Sequence, residues 1–176
     1  YWVDKERNTL YGAELEGNDG TYWVVSDSFD APIDVAVDTR AAALYVADST
    51  GIYKLDQDGS DLTLILSEGD AGLSSFGGID VDATNRMLYF AASDQIYSAD
   101  IFDPSTSYQA VYQSLDDPMG VAVAPEEDLL FFIDKSGVYR GNLEGSDTAT
   151  FVAETSDARF CSILQQSAPT PAPTSL

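Results

Sequence analysis

Carboxylates are the residues of this chain that are able to do chemistry. The sequence has 176 residues with 30 Asp and Glu against 8 Lys and Arg, no His and one Cys. Without histidine there is no Ser-His-Asp or Cys-His nucleophile, no His-ligated metal and no imidazole base. The chemistry that remains is acid–base work by Asp and Glu, or the coordination of a hard cation such as Ca²⁺.

The densest acidic segment is Asp56-Gln57-Asp58-Gly59-Ser60-Asp61. Calcium loops place acids at alternating positions and supply six to eight oxygen ligands. In this segment the third acid falls one residue late, and no glutamate follows at the twelfth position. We therefore interpret the segment as a solvated hairpin turn and predict no metal and no other cofactor, with Ca²⁺ as the alternative.

Other carboxylates recur at fixed places beside hydrophobic residues. The sequence places them next to core positions or at the ends of aromatic segments, at Asp34, Asp38, Asp80, Asp82, Asp4, Asp48 and Asp134. We expect them to accept hydrogen bonds from the backbone of a neighbouring unit, because buried backbone donors must be satisfied. We predict no catalytic residue; the alternative is a set of inward carboxylates that hold a cation or act as acid–base pairs.

The elements that carry these residues repeat. An aromatic strand pattern recurs four times, with first residues spaced by 44, 44 and 42 positions, at Tyr1, Tyr45, Tyr89 and Phe131. A strand with alternating apolar residues precedes the last three copies, at 33–38, 78–82 and 120–124. A third strand carries a tyrosine in each copy, at Tyr11, Tyr53, Tyr97 and Tyr139, and a fourth follows at 22–25, 62–66, 108–112 and 150–153.

Four short antiparallel strands in each unit of 42 to 44 residues are typical of a β-propeller blade. Turn residues such as Gly, Asn and Asp separate the third and fourth strands, except at Asp103-Pro104-Ser105-Thr106. The prediction is therefore an all-β propeller of four-stranded antiparallel blades over residues 1–166. Residues 167–176, rich in Pro, Thr and Ser, form either a stiff linker or glycosylated stalk, or a disordered tail.

These repeats resemble the YWTD repeats of low-density-lipoprotein-receptor-type β-propellers, in a divergent form. The resemblance is carried by Tyr1-Trp2-Val3-Asp4, by the aromatic-aromatic-x-Asp pattern in later units and by the Gly-Ser turns after the third strand. It departs from the family at Ala92, which stands in the place of the motif aspartate, and in the absence of the tryptophan that usually follows that aspartate. The resemblance implies a six-bladed ring and a binding function.

The number of blades leaves two interpretations. The first unit lacks an innermost strand, and residues 159–165 match one at the other end of the repeats. The chain is either part of a six-bladed propeller, which we favour because the sequence starts inside a blade, or a ring of four blades closed by that last strand. In the first case we expect exposed sheet edges that bind another chain or copy.

Aromatic residues outside the repeated slots are the candidates for binding. The four repeated tyrosines are expected to pack between neighbouring sheets. Less constrained are the aromatic residues in loops and outer strands, namely Tyr22, Trp23, Phe29, Phe76, Phe102 and Tyr108. We predict that an interface, if present, uses these residues.

The net charge of -22 limits the classes of partner and the compartments that suit this chain. It argues against nucleic acid and anionic lipid, and no segment is apolar enough for membrane insertion. The acidity suits a saline, calcium-containing fluid, which favours an extracellular location. Cys161 cannot form a disulfide within this sequence and is interpreted as a small buried residue, the alternative being a bond to another segment.

Two functions from different classes follow from these observations. The first is a non-catalytic extracellular module of a larger surface or matrix protein, which binds other protein chains or copies of itself. The second is a propeller enzyme of the lactonase or hydrolase type, which would use carboxylates in the central channel and a divalent cation. A purely structural role in an array is a variant of the first.

Overall fold

The computed structural model describes residues 1–15, 21–155, 158–159 and 161–162 of the chain. Its regular structure is almost entirely antiparallel β-sheet, in four separate sheets whose strands follow one another in chain order. Short connections between sequential strands produce this arrangement, because an antiparallel pair needs only a tight turn. Four such sheets stacked along the chain form the blades of a propeller, so the predicted fold class is confirmed.

The first sheet, blade 1, has three strands: β1 (Trp2–Asp4), β2 (Thr9–Ala13) and β3 (Tyr22–Ser26). Blade 2 has β4 (Pro32–Asp38), β5 (Ala43–Asp48), β6 (Gly51–Asp56) and β7 (Thr63–Ser67). Blade 3 has β8 (Ile79–Asp82), β9 (Met87–Ala92), β10 (Gln95–Asp100) and β11 (Gln109–Tyr112). Blade 4 has β12 (Gly120–Ala124), β13 (Leu129–Asp134), β14 (Gly137–Gly141) and β15 (Thr150–Ala153).

Strand register places the repeated aromatic residues on one face of every blade. The tyrosine of the third strand lies directly opposite an aromatic or branched residue of the second strand, in the pairs Trp2–Tyr11, Val46–Tyr53, Phe90–Tyr97 and Phe132–Tyr139. Cross-strand partners share a face because successive side chains alternate across a strand. The slot predicted for tyrosine is therefore a structural position that all four blades use.

The hydrophobic core lies between the blades. One cluster joins blades 1 and 2, a second joins blades 2 and 3, and a third joins blades 3 and 4; the largest fully buried residues of these clusters include Leu10, Leu44, Tyr45, Phe90, Leu130 and Phe132. The innermost strands of blades 2 to 4 lie next to one another, and β1 lies beside β4. Blade 1 has no innermost strand among the described residues, as the sequence predicts.

Two sequence-based expectations are corrected and one falls outside the described residues. The segment at 103–106 is not only a turn, because residues Pro104–Ser107 form the four-residue helix α1. The following strand begins at Gln109 instead of Tyr108. The innermost strand expected at 159–165 and the tail at 167–176 lie largely or wholly outside the described residues. In the described part of the chain no helix is long and apolar enough to cross a membrane.

Candidate functional site

Two buried carboxylates connect neighbouring blades. Asp34 on β4 accepts a hydrogen bond from the backbone N–H of Ile79 on β8, with an oxygen–nitrogen distance of 3.0 Å. Asp80 on β8 accepts one from the backbone N–H of Val123 on β12, at 2.8 Å. Each carboxylate also accepts the N–H of the residue that follows it. The prediction that repeated aspartates satisfy the backbone of an adjacent blade is confirmed at these two positions.

Burial makes both of these carboxylates harder to ionise. Burial raises the pKa of Asp34 to about 6, and the nearby charge of Asp80 adds to this increase. The hydrogen bonds from Ile79 and Val35 act in the opposite direction. Burial also raises the pKa of Asp80, and the neighbouring Asp82 adds to the effect. Close to both lies the thiol of Cys161, whose pKa rises to about 12 through burial and through these two aspartates. Cys161 is therefore a protonated, half-buried thiol at neutral pH.

The remaining strand aspartates act within one blade or on the loop that leads into it. Asp38 and Asp82 cap the turns that follow their strands by accepting two backbone N–H groups each. Asp48 holds the connection between blades 1 and 2 through the N–H groups of Asp30 and Ala31. Asp134 accepts the N–H of Asp116, and Asp4 accepts that of Glu6. For these five, the expected bond to a strand of an adjacent blade is wrong among the described residues, because their carboxylates lie at strand ends and accept N–H groups of turns and connecting loops.

The acidic turn at 56–61 is a tight hairpin between β6 and β7. The backbone N–H of Asp56 donates to Ser60 O at 2.9 Å, and the Asp58 carboxylate accepts the N–H and the hydroxyl of Ser60. Gly59 has a φ of 89° and approaches the carbonyl oxygen of Val25 in blade 1 so closely that a Cβ would collide with it. Among the residues that the structure describes, no group of three or more His, Cys, Asp or Glu side chains converges to hold a metal ion.

A shallow depression of about 210 Å³ opens where the innermost strands begin. Its walls combine apolar side chains with three charged residues, and it is lined by Lys5, Ile33, Ser75, Phe76, Gly77, Asp117, Pro118, Met119 and Arg159. Asp117 is paired with Lys135 at 3.0 Å. The depression therefore offers two cations and an apolar floor, and the carboxylates Asp34 and Asp80 are not part of its lining.

Aromatic rings fill each junction between blades. In every junction a ring from the chain that leaves the preceding blade packs on the aromatic face of the next one: Phe29 on Tyr53, Phe76 on Phe90 and Tyr112 on Phe132, with centroid distances of 5.7, 6.2 and 5.0 Å. Tyr97 stacks on Phe90 and Tyr139 on Phe132, both at 5.4 Å. The expectation that the repeated tyrosines pack between sheets is confirmed for Tyr53, Tyr97 and Tyr139.

The same face of blade 1 is uncovered. Tyr11 stacks on Trp2 at 5.4 Å, and Tyr22 packs against both rings at 5.7 and 6.1 Å. Trp2 is 41% exposed and Tyr22 is 61% exposed, whereas Phe90 and Phe132, which hold the position of Trp2 in blades 3 and 4, are completely buried. We call the surface formed by Trp2, Tyr11, Tyr22 and Val24 the blade 1 face.

The structure separates the six aromatic candidates into two groups. Phe29 and Phe76 are buried, because each fills a junction between blades, so the prediction that they bind a partner is wrong. Tyr108 is half-buried against Tyr97. Tyr22, Trp23 and Phe102 are exposed, and the guanidinium of Arg86 lies 3.3 Å above the Phe102 ring. Sequence reasoning missed that Trp2 and Tyr11 belong with Tyr22.

Comparison with known proteins agrees with this fold. No family model matches the chain, and no curated protein matches it by sequence. Among solved structures, it is similar to the nidogen/laminin complex, with a TM-score of 0.73, 17% identity and coverage of 84% of this chain and 59% of that one. A gluconolactonase from Xanthomonas campestris gives a TM-score of 0.72 at 18% identity, covering 92% of this chain and 61% of that one.

An auxiliary nutrient binding protein from Bacteroides thetaiotaomicron is a more distant match, with a TM-score of 0.59, 11% identity and coverage of 78% and 36%. Identities this low establish the fold and carry no activity. The chain is a β-propeller, and it spans about three-fifths of the length of the first two structures. Those two differ in function, one being in a complex with another protein and the other an enzyme.

Proposed function

We propose that this chain is a non-catalytic protein-binding or assembly module, and that it belongs to a larger extracellular protein with a divergent YWTD-type propeller of six blades. The observation that carries the proposal is the blade 1 face. At the three internal junctions the residues that hold the position of Trp2, namely Val46, Phe90 and Phe132, are completely buried, while here the rings of Trp2 and Tyr22 are exposed to solvent. A surface of this kind is covered by further protein, which is the next blade in a six-bladed ring and another protein chain in an open stack.

The chemistry of the blade 1 face suits a protein partner. Tyr and Trp combine a large apolar area with a polar atom at the edge and lose little conformational entropy on binding, which is why they dominate protein interfaces. The three rings already contact one another, so the surface is held in shape before a partner arrives. The net charge of -22 disfavours nucleic acid and anionic lipid as the partner.

The similarity to the nidogen/laminin complex supports this proposal at the level of the fold. That complex shows a propeller of this general architecture in contact with another protein. The extracellular location is proposed from the acidity and from the YWTD-like repeats, and six blades from the YWTD resemblance and the share of the solved structures that the chain spans.

A photo-crosslinking experiment tests the proposed function. A benzophenone amino acid replaces Tyr22 in the protein as its own organism produces it, and Gln109, an exposed residue of blade 3 outside the candidate set, is replaced in a control. We expect the probe at position 22 to crosslink to one defined protein surface, identified by mass spectrometry of the linked peptides, and the control to give much less. Equal yields at both positions, or no crosslink at position 22, would contradict the proposal.

A second candidate, a hydrolase that uses channel carboxylates and a divalent cation, is favoured by one observation. Asp34 and Asp80 lie on adjacent innermost strands and have raised pKa values, as acid–base groups do in many enzymes. Their oxygens, however, accept backbone N–H groups that hold the blades together. Hydrolysis of gluconolactone that is abolished by EDTA and restored by Ca²⁺ would establish this function in place of the binding role; no turnover would remove it.

A further inference from the structure

A second depression, of about 440 Å³, opens at the junction between blades 2 and 3. It lies between the turn that joins β4 to β5 and the turn that joins β8 to β9, and it is lined by Asp38, Arg40, Ala41, Ala83, Thr84 and Arg86. Blades 2 and 3 are both four-stranded sheets, and each has another blade on its far side. The depression is therefore a feature of an internal junction.

Two arginines enter this depression from opposite blades. The guanidinium of Arg40 donates to the carbonyl oxygens of Ala83 and Thr84 across the junction, at 3.4 and 3.3 Å. The guanidinium of Arg86 lies 3.3 Å above the Phe102 ring, which is a cation–π contact. Neither arginine forms an ion pair among the residues that the structure describes. A guanidinium has five N–H donors, so both arginines retain donors for a ligand.

Buried carboxylates fix the two turns that carry these arginines. Asp38 accepts the backbone N–H groups of Arg40 and Ala41, at 2.9 and 3.0 Å. Asp82 accepts the backbone N–H of Thr84 in the opposite turn, at 2.9 Å. Asp38 and Asp82 are both buried. The turns therefore hold their shape before a ligand arrives, which lowers the entropy cost of binding.

The pair of arginines is specific to this junction. Arg86 has a positive φ immediately before the second strand, and this position is held in the other blades by Asn8, Ala42 and Asp128. The position of Arg40, two residues earlier in each turn, is held in the other blades by Glu6, Thr84 and Glu126. The equivalent pairs at the other two internal junctions are Glu6 with Ala42 and Thr84 with Asp128. Neither of those pairs contains a cation, so the repeat itself does not account for the pair at blades 2 and 3.

A buried hydroxyl without an acceptor lies close to the same depression. Tyr45 is completely buried in the core between blades 2 and 3, and its hydroxyl has no hydrogen-bond partner among the described residues. Burial raises the pKa of Tyr45 to about 12; the charge of Asp38 adds to the increase and that of Arg86 opposes it. The phenol therefore lies within the field of two charges that line the depression, where a bound anion would place an acceptor beside this donor.

The charge of the lining indicates the class of ligand. Arg40 and Arg86 together with Asp38 give the depression a net charge of +1. A singly charged anion neutralises it, whereas a dianion would add negative charge to a chain that already carries -22. The planar carboxylate matches the guanidinium fork and accepts two N–H groups from it. The small side chains of Ala41 and Ala83 leave room for an aliphatic stem.

We propose that the depression between Arg40 and Arg86, which we call the arginine site, binds a singly charged carboxylate. The carboxylate belongs either to an acidic side chain or C-terminus of a partner protein or to a free monocarboxylic acid, and the chemistry of recognition is the same for both. The arginine site lies between blades 2 and 3, away from the blade 1 face. The inference therefore goes beyond the proposed binding function and does not depend on it.

Nuclear magnetic resonance of the nitrogen-15-labelled chain tests the inference. The chain has five arginines, so its side-chain Nε–Hε signals are few, and the signal lost in Arg40→Gln or Arg86→Gln assigns each one. Sodium acetate then replaces sodium chloride stepwise at constant ionic strength. We expect the signals of Arg40 and Arg86 to shift and to saturate with a Kd of about 1 to 10 mM, as a few charge-assisted hydrogen bonds provide. Shifts that do not saturate, or that are equally large for all five arginines, would overturn the proposal.

Charge-matched variants establish whether both arginines are needed. Arg40→Gln and Arg86→Gln each remove one cation from an exposed position, and Arg140→Gln removes one from an exposed position of blade 4. We expect each of the first two variants to weaken acetate binding at least tenfold, read from the signal of the remaining arginine, and the control to bind like the parent chain. Unchanged affinity in Arg86→Gln, or an equal loss in Arg140→Gln, would refute the site.

Two further probes identify the ligand class and its source. Phosphate, largely a dianion at about pH 8, should bind more weakly than acetate, and tighter binding of phosphate would overturn the assignment to a carboxylate. N-acetylglutamate α-amide carries its carboxylate on the stem of an acidic side chain. Tighter binding of this compound than of acetate would identify a partner protein as the source, and the reverse order a small free acid.

The outcome for the arginine site is separate from that for the blade 1 face. Saturable acetate binding without a crosslink at position 22 would remove the proposed binding function and leave the arginine site in place. A crosslink at position 22 without acetate binding would do the opposite.

Discussion

At the scale of single residues, the carboxylates of this chain serve its architecture. Asp34 and Asp80 are the clearest cases, because each accepts a backbone N–H from the next blade while being largely removed from water. A buried carboxylate is costly when charged, and the hydrogen bonds offset only part of that cost. The result is a pair of groups whose ionisation weakens the structure that they hold together.

The pH dependence of stability should report the ionisation of Asp34. Its pKa is 3.8 in the unfolded chain and rises to about 6 on folding, so the native state binds the proton more tightly. The free energy of unfolding therefore decreases as the pH rises from about 4 to about 6. Urea unfolding at intervals across this range should show a shallower decrease in Asp34→Asn than in the parent chain.

Asp58→Asn is the control for that series, because the pKa of the exposed Asp58 is lowered by its bonds to Ser60. Loss of a group with a lowered pKa removes stability at higher pH and leaves the Asp34 contribution in place. Identical slopes in Asp34→Asn and the parent chain would show that Asp34 is not buried between blades.

Two buried tyrosines should respond oppositely to loss of the hydroxyl. Among the described residues, the Tyr45 hydroxyl is a buried side-chain group with no hydrogen-bond partner, whereas that of Tyr112 donates to Asp147 at 2.8 Å and lies 3.0 Å from Asn142 O. Phenylalanine at position 45 should leave the free energy of unfolding unchanged or raise it. Phenylalanine at position 112 should lower the free energy of unfolding by about 1 to 2 kcal/mol. Denaturant melts of both variants at one pH check the prediction, and a loss at position 45 as large as that at 112 would refute it.

At the scale of elements, the blades are joined by their hairpin turns as well as by their cores. Gly59 and Gly145 lie in the turns between the third and fourth strands, and both have positive φ. In each case a Cβ would collide with a carbonyl oxygen of the preceding blade, that of Val25 or Val111. The turns that look like acidic, solvated loops in the sequence are thus also contacts between blades.

Alanine at position 59 should therefore be costly. It would combine the strain of a positive φ, about 1 to 2 kcal/mol, with a collision that adds about as much again. Gly69 is a matched control because its φ of 94° is similar and nothing lies within 4 Å of the Cβ position. In thermal or urea unfolding, Gly69→Ala should lose only the stability that corresponds to the strain of the positive φ. Equal losses in the two variants would mean that the turn does not press on blade 1.

The sequence predicts the repeated elements well and the junctions between them less well. The 42- to 44-residue period and its tyrosine slot, read from the sequence, identify the strands, the register and the bonds of Asp34 and Asp80. Phe29 and Phe76 are predicted to bind a partner because they lie in loops outside the repeated positions. They precede the innermost strand by different distances, four residues before Ile33 and three before Ile79. A comparison that allowed for loops of unequal length would have aligned these two rings.

At the scale of the whole molecule, the blades bury the junctions between them, and negative charge dominates the composition. Among the described residues only two ion pairs form, Arg7 with Asp4 and Lys135 with Asp117, so most of the negative charge is unpaired. Repulsion between these charges opposes association with other acidic proteins at low salt, while the blade 1 face favours contact. Which of the two forces is the larger depends on ionic strength and on what partner is present.

What covers Trp2, Tyr11 and Tyr22 is the central question about this protein, and an experimental structure of its native assembly answers it most directly. We predict that protein covers the blade 1 face and places an aromatic or cationic side chain against the Trp2 and Tyr22 rings, as Phe29, Phe76 and Tyr112 do at the internal junctions. A blade 1 face that remains exposed to solvent in that assembly, with Trp2 about as accessible as its present 41%, would contradict the account.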